Sequence, residues 1–281
     1  MYNFPIGVML ESFRKEPREA IELARSIGAQ GLQAYASRGP LDCRKITPAQ
    51  TREFLAMVED NGLKFSALCG DFGHGFGDEA SNPALIEDSK RVMDLALELK
   101  TNVVTTHIGV VPTDPAHPRY KIMQDACGKL AEYADSVGAH FAIETGPEPA
   151  DVLKGFLDSL GSRGVAVNMD PANLVMVVGD DPVKAVHTLK DYIVHTHAKD
   201  GRMIYARDPE VVYGITNSDD VPVGPSHLEV PLGEGQVPFP EYLAALDEIG
   251  FKGFLTIERE VGEDPVGDIS RAVEFLRSVI K

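Results

Sequence analysis

Eight apolar, β-branched runs alternate with eight helical segments along this chain, and the alternation predicts a (β/α)8 barrel in a single domain. The 281 residues divide into about 35 per strand–helix unit, an ordinary size for such a repeat. No Gly-x-Gly-x-x-Gly follows the first run, which disfavours a doubly wound dinucleotide-binding sheet.

Each unit carries its own punctuation. Ile6–Leu10 reads as a strand, and Pro17 opens a helix that Gly28 ends. Gly31–Ala36 is the second strand, with Thr47 as N-cap and Pro48 as first residue of the next helix. Lys64–Cys69 is the third, followed by a glycine-rich loop over 70–78 and a helix opened by Asn82-Pro83. Asn102–Ile108 is the fourth, before a long helix over Tyr120–Val137 stopped at Gly138. His140–Glu144, Val165–Asp170 and Ile193–His197 are the fifth to seventh, with helices expected near 150–160 and 182–189. Phe254–Glu258 is the eighth, closed by a helix over Pro265–Ile280.

Four of these strands end in a side chain that can bind a cation: Glu144, Asp170, His197 and Glu258. Strand C-termini of a barrel converge on one face, and that face holds the active site. Three carboxylates and an imidazole suit one divalent ion such as Mn, Mg, Co or Zn. Taken singly, each residue has a duller reading. Asp170 precedes Pro171 and could cap a helix, and His197 could be a satisfied core histidine. Their arrival at four successive strand ends favours a common site. Strand alternation then turns Thr105, Ala142, Asn168, His195 and Thr256 inward one layer deeper, where polar groups would orient the ligands. His107 ends the fourth strand in the same register, and Lys199 follows His197 by two residues. His107, Asn173, Lys199 and Arg202 are the candidates for contacting substrate hydroxyls or a phosphate. His74 reads as a loop residue.

The spacing breaks once. His197 and Glu258 are 61 residues apart, against 26 and 27 for the two preceding gaps. The surplus is a loop at about 201–237, read as a cover over the substrate, with Val211–Ile215 as a short extra strand. Gly233-Glu234-Gly235 would turn this loop back toward its helix.

Composition narrows the function classes. A net charge of −16 disfavours a broad phosphate-binding surface, and no run of eighteen apolar residues suggests a membrane span. Cys43, Cys69 and Cys127 are odd in number and lack metal-site spacing, and no secretory signal is visible, so a cytoplasmic protein is expected. There is no Gly-x-Ser-x-Gly elbow and no phosphate loop of the Gly-x-x-x-x-Gly-Lys type. A small carbohydrate substrate is expected, with no nucleic-acid or membrane partner; self-association is left open.

Several segments resemble the xylose isomerase-like TIM barrels, the sugar phosphate isomerases and epimerases. They are Thr-His-Ile-Gly at 106–109, Ile-Glu-Thr at 143–145, Asp-Pro-Ala-Asn-Leu at 170–174, His-Thr-His-Ala-Lys-Asp at 195–200, Pro-Leu-Gly-Glu-Gly at 231–235 and Gly-Phe-Leu-Thr-Ile-Glu at 253–258. The resemblance spans nearly all of 1–281. It implies Glu144, Asp170, His197 and Glu258 as ligands of one divalent metal ion, with Glu144 and Glu258 as the acid/base pair. The implied activity is isomerisation or epimerisation of a sugar, keto-sugar or related polyol through a metal-stabilised enediolate. The alternatives are a dehydratase or lyase of a sugar or inosose, an endonuclease IV-like phosphodiester hydrolase, or an inert sugar-binding barrel. Two positions depart from the ketose epimerase branch. Asn173 stands where that branch has His, and Met203 where it has Arg, with Arg202 one position earlier.

Overall fold

The computed structural model describes residues 2–217 and 224–280. Eight parallel strands close a barrel: β1 (Ile6–Met9), β2 (Gly31–Tyr35), β3 (Lys64–Cys69), β4 (Val103–Thr106), β5 (His140–Glu144), β6 (Val165–Met169), β7 (Ile193–Ala198) and β10 (Leu255–Ile257). Neighbours in the barrel are neighbours in sequence, and β10 pairs in parallel with both β7 and β1.

The helices that return the chain are α1 (Pro17–Ser26), α2 (Pro48–Asp60), α3 (Asn82–Glu98), α4 (Pro118–Val137), α5 (Ala150–Leu160), α6 (Pro171–Asn173), α7 (Pro182–Leu189), α9 (Phe239–Glu248) and α10 (Pro265–Val279). Most open with proline in the first turn, where the missing N–H would have had no partner. Thr47 and Gln50 form a reciprocal capping box on α2, and Asp181 and Asp264 cap α7 and α10. No helix among the described residues is long and apolar enough to cross a membrane.

Two apolar layers hold the barrel. The outward strand side chains Phe141, Ile143, Val167, Met169, Leu255 and Ile257 pack on the helices. Inside, Ala67, Val103, Ala142 and Ala166 form a smaller cluster. Above it the interior becomes polar, as the alternation of Thr105, Asn168, His195 and Thr256 predicts; all four are fully or nearly fully buried. Thr196, outside that pattern, donates to the Phe254 carbonyl of the adjacent chain segment.

The segment expected to be one long loop is partly ordered. β8 (Asp200–Met203) pairs antiparallel with β9 (His227–Val230) as a two-stranded ribbon. The expected strand at Val211–Ile215 is not one. Pro209–Val212 is a helical turn, α8, because Asp208 caps Glu210 and Pro209 occupies the first position. The stretch at 218–223 of the expected 201–237 loop lies outside the described residues.

Asp200 ties the two ends of this segment together. Its Oδ2 accepts from Gly233 N at 3.0 Å and Gly235 N at 2.9 Å, and its Oδ1 from Gly201 N and Val237 N. A Cβ on Gly235 would sit 2.0 Å from Asp200 Oδ1, so only glycine lets the backbone come this close.

Candidate metal and substrate site

The four polar strand ends meet. Glu144 ends β5, Asp170 follows β6, His197 lies in β7 and Glu258 follows β10, four strands adjacent in the barrel. One donor atom from each lies within 4.8 Å of the others, and this is the one such group of four among the described residues. Ligands about 2.0–2.3 Å from a common ion are at most roughly 4.6 Å apart, so the set is sized for a single cation. His197 Nδ1 faces all three acids, at 3.3 Å from Asp170 Oδ2 and 3.4 Å from both Glu144 Oε1 and Glu258 Oε2.

Asp170 fills both roles that its sequence context suggests. Oδ1 accepts from the N–H groups of Ala172 and Asn173 and caps α6, while Oδ2 faces His197. Thr145 fixes its backbone, donating to the Asp170 carbonyl and accepting from its N–H. Asn173 donates to Glu144 Oε1 at 3.1 Å, placing an amide against the carboxylate. It approaches Gly146 so closely that a Cβ there would lie 2.3 Å from the Asn173 Cβ.

Beneath these four side chains runs a hydrogen-bonded layer. Asn168 donates to Glu144 Oε2 at 3.1 Å and accepts from His195 Nδ1 at 2.8 Å, and His195 Nε2 meets the Thr256 hydroxyl at 2.8 Å. Gln33 Oε1 lies 3.0 Å from His197 Nε2, and its amide nitrogen donates to Thr105. With Nε2–H given to Gln33, Nδ1 is the nitrogen left to face a cation. Sequence reasoning missed Gln33. Its signal was an amide in the middle of an otherwise apolar strand.

The charges are strongly coupled. Burial alone would depress the His197 pKa, but Glu258 and Glu144 outweigh it and hold His197 well above the usual imidazole range. Burial would raise Glu144, yet His107, His197 and Lys199 pull it below the usual carboxylate range. Burial and the neighbouring His197 charge keep His195 neutral. A cation in the ring would take the place of the proton on His197, and these donors fit a hard or borderline divalent ion.

The other expected residues divide. Half-buried His107 brings Nε2 to 3.6 Å from Glu144 Oε1. Its ring centroid lies 6.0 Å from that of Tyr213, which comes from the segment after α8. Lys199 is buried, donates to Glu258 Oε2 at 2.9 Å and pairs with Glu260. Arg202 points elsewhere, donating to the carbonyl of Glu234 on the surface. It does not line the cavity above the ring. His74 lies in the glycine-rich loop as expected, yet lines that cavity.

The cavity measures about 1210 Å³ and contains His107, Glu144, Asn173, His197, Lys199 and Glu258 at its base. Val212, Tyr213, Ile215, His227 and Glu229, all from the segment between β7 and α9, line its mouth. Arg119 at the start of α4 pairs with Glu210 of α8 and so ties this segment to the barrel. Glu148, four residues beyond Glu144, is buried with Oε2 accepting from Val111 N and Oε1 unpartnered. Burial pushes its carboxyl up to about 8.

The family model for xylose isomerase-like TIM barrels matches residues 21–279. The chain belongs to that family. Among curated relatives of this xylose isomerase-like barrel is the uncharacterised protein MJ1311 of Methanocaldococcus jannaschii, 25% identical over 207 residues. That alignment covers 69% of this chain and 63% of the relative, so the chain spans less than two thirds of the relative's length. A xylose isomerase domain protein from Planctomyces limnophilus superposes with a TM-score of 0.80 at 25% identity, over 99% of this chain and 97% of the other. Two more distant structures share the fold. A Mycobacterium smegmatis xylose isomerase-like barrel in complex with magnesium has a TM-score of 0.74 at 17% identity, over 100% and 98% of the two chains. The D-psicose 3-epimerase of Clostridium cellulolyticum H10, with D-tagatose, has a TM-score of 0.73 at 15% identity, over 99% of each.

Proposed function

We propose that this protein is a divalent-metal-dependent isomerase or epimerase of a sugar or related polyol, moving a proton at a carbon next to a carbonyl. One observation carries the reading. Glu144 and Glu258 stand on the outer two of the four ligand strands, with β6 and β7 between them, at the base of a single cavity. Two carboxylates are thus offered from opposite flanks to anything bound over the ring. Family membership supports the reading, as does the epimerase neighbour with its bound ketose.

Glu144, Asp170, His197 and Glu258 would hold the ion, which when bound would supply Lewis-acid polarisation of the substrate oxygens. The remaining chemistry belongs to the chain. One glutamate takes the proton from carbon, and the same or the other returns it. Return to the opposite face inverts the centre, whereas return to the neighbouring carbon exchanges aldose and ketose. Lys199 donates to Glu258 Oε2 and holds that oxygen in place. Asn168 and Asn173 each donate to one oxygen of Glu144 and hold its carboxylate plane. His107, beside Glu144 and open to the cavity, is placed to donate to a substrate hydroxyl.

The test begins with metal content after loading with Mn, Mg, Co or Zn, followed by a panel of ketoses, aldoses and inososes in D2O. One bound ion per chain and deuterium at a carbon next to the carbonyl would support the assignment. A metal-loaded protein that interconverts no member but releases water from an inosose would replace it with a dehydratase. Hydrolysis of a phosphodiester would replace it with the nuclease reading.

A further inference from the structure

We infer that the substrate is an uncharged sugar carrying an apolar substituent, bound with the sugar over the ligand ring and the substituent against the mouth of the cavity. The inference rests on the reading of the ring as a sugar site and specifies what that sugar bears.

Charge argues first. Six carboxylates line the cavity, those of Asp71, Asp78, Glu144, Glu229, Glu258 and Glu260, against two side chains of fixed positive charge, Arg119 and Lys199. One divalent ion would still leave this lining net negative. Both cations already face carboxylates: Arg119 pairs with Glu210, and Lys199 with Glu258 and Glu260. Of the two arginines in the segment between β7 and α9, Arg202 is turned to the Glu234 carbonyl and Arg207 is not part of the lining. Residues 218–223, outside the described part, contain no lysine or arginine.

Several backbone N–H groups at this end of the barrel are taken as well. In the glycine-rich loop, Asp71 takes the N–H of Gly73, and Asp78 takes that of Ala80. At the helix starts facing this end of the barrel, Asp170 takes the N–H groups of Ala172 and Asn173, and Asp180 takes that of Ala150. A phosphate is held by such donors together with free cations, and both cations of this lining already face carboxylates.

Size and polarity argue second. Pockets for drug-sized ligands run to about 300–1,000 Å³. At about 1210 Å³ this cavity is larger, while a free hexose needs only the small end of that range. Part of its wall is apolar, formed by Met176, Val177, Val212, Tyr213, Ile215 and Val261. Among the described residues five large apolar side chains are exposed, and three of them, Ile215, Leu228 and Val261, line this one cavity. An apolar face continuous with a polar base fits a glycoside whose aglycone is aromatic or aliphatic.

The experiment uses the manganese-loaded protein and calorimetric titration with matched probes: free, methyl, phenyl and 6-phospho forms of glucose and galactose. We expect each phenyl glycoside to bind at least roughly tenfold tighter than its methyl counterpart, and each 6-phosphate more weakly than its parent. In I215S/V261S the phenyl advantage should vanish; V261S alone, at an exposed position, should reduce it and guards against misfolding of the double variant. Tighter binding of the phosphates, or equal binding of phenyl and methyl forms, would overturn the inference while leaving the sugar site standing. Failure of every probe, free sugars included, would overturn the sugar reading as well. Sedimentation of the same samples adds a further arm. A dimer that V261S dissociates would assign the apolar mouth to a second copy of the chain and overturn the inference.

Discussion

Gln33 and His197, 164 residues apart in sequence, meet at 3.0 Å in the barrel interior, with the amide oxygen of one accepting from Nε2 of the other. The pairing orients the imidazole so that Nδ1 faces the three carboxylates. Gln33 itself is anchored through its donation to Thr105.

Replacing Gln33 with Ala should therefore weaken divalent-ion binding by about 10–100-fold, the usual cost of losing a group that orients a ligand. Competition titration with a chromogenic chelator measures this directly. An affinity equal to wild type would mean that packing, not Gln33, orients His197.

Metal uptake should release protons and strengthen as pH rises. His197 is held protonated by Glu258 and Glu144, and an ion requires the neutral ring. Through and above neutrality the dissociation constant should fall by up to about tenfold per pH unit until His197 titrates. Calorimetry in buffers of different ionisation enthalpy counts the protons. In chelator-treated protein the sign for stability is opposite. The raised His197 pKa gives a contribution that is full below the unfolded value near 6.5 and is lost as pH rises through the folded one.

Glu144→Gln and Glu258→Gln each keep an oxygen and the side-chain volume but remove the base. Turnover on an identified substrate should fall by roughly 10²–10⁴ in either variant. Metal content must be measured alongside, because both residues are also ligands in this assignment. Wild-type turnover in both metal-replete variants would end the two-glutamate mechanism.

Glu148 offers a test that is independent of metal. Burial raises its carboxyl to about 8, so the folded protein binds a proton there that the unfolded chain has released. This term makes stability fall as pH rises from about 4.5 to about 8, the span between the unfolded and folded values. Glu148→Gln should remove that fall, and thermal melts at pH 5 and pH 9 should differ less than those of wild type. A variant melting with the wild-type pH dependence would show that Glu148 ionises at its ordinary value.

Asp200→Ala should release the segment between β7 and α9. Four backbone N–H groups lose their acceptor, and the variant should lose at least about 3 kcal/mol of stability. Hydrogen exchange should show the loss concentrated in 201–216 and 224–237. In the wild type, saturating substrate should slow exchange over the same residues if they close over the mouth. Protection that is unaltered on saturation would argue against a cover.

The barrel and its four polar strand ends were legible in the chain because both depend on local pattern. Proline and glycine mark the unit boundaries, and side chains alternate along every strand, so a polar residue at the end of an apolar run is aimed before any contact is known. Asp170 shows how far this goes: its dual role as cap and ring member follows from Pro171 behind it and the strand before it. Tertiary structure alone decided the rest. Gln33 reaches His197 only because barrel closure brings β2 across from β7, and Lys199 is paired rather than free only because Glu258 and Glu260 return beside it. Arg202 is engaged by the distant Glu234 carbonyl, and Val211 and Val212 are drawn into a helical turn by Asp208 and Pro209. These outcomes depend on distances between residues far apart in the chain or on caps that outweigh β-branched propensity, and strand periodicity carries no information about either.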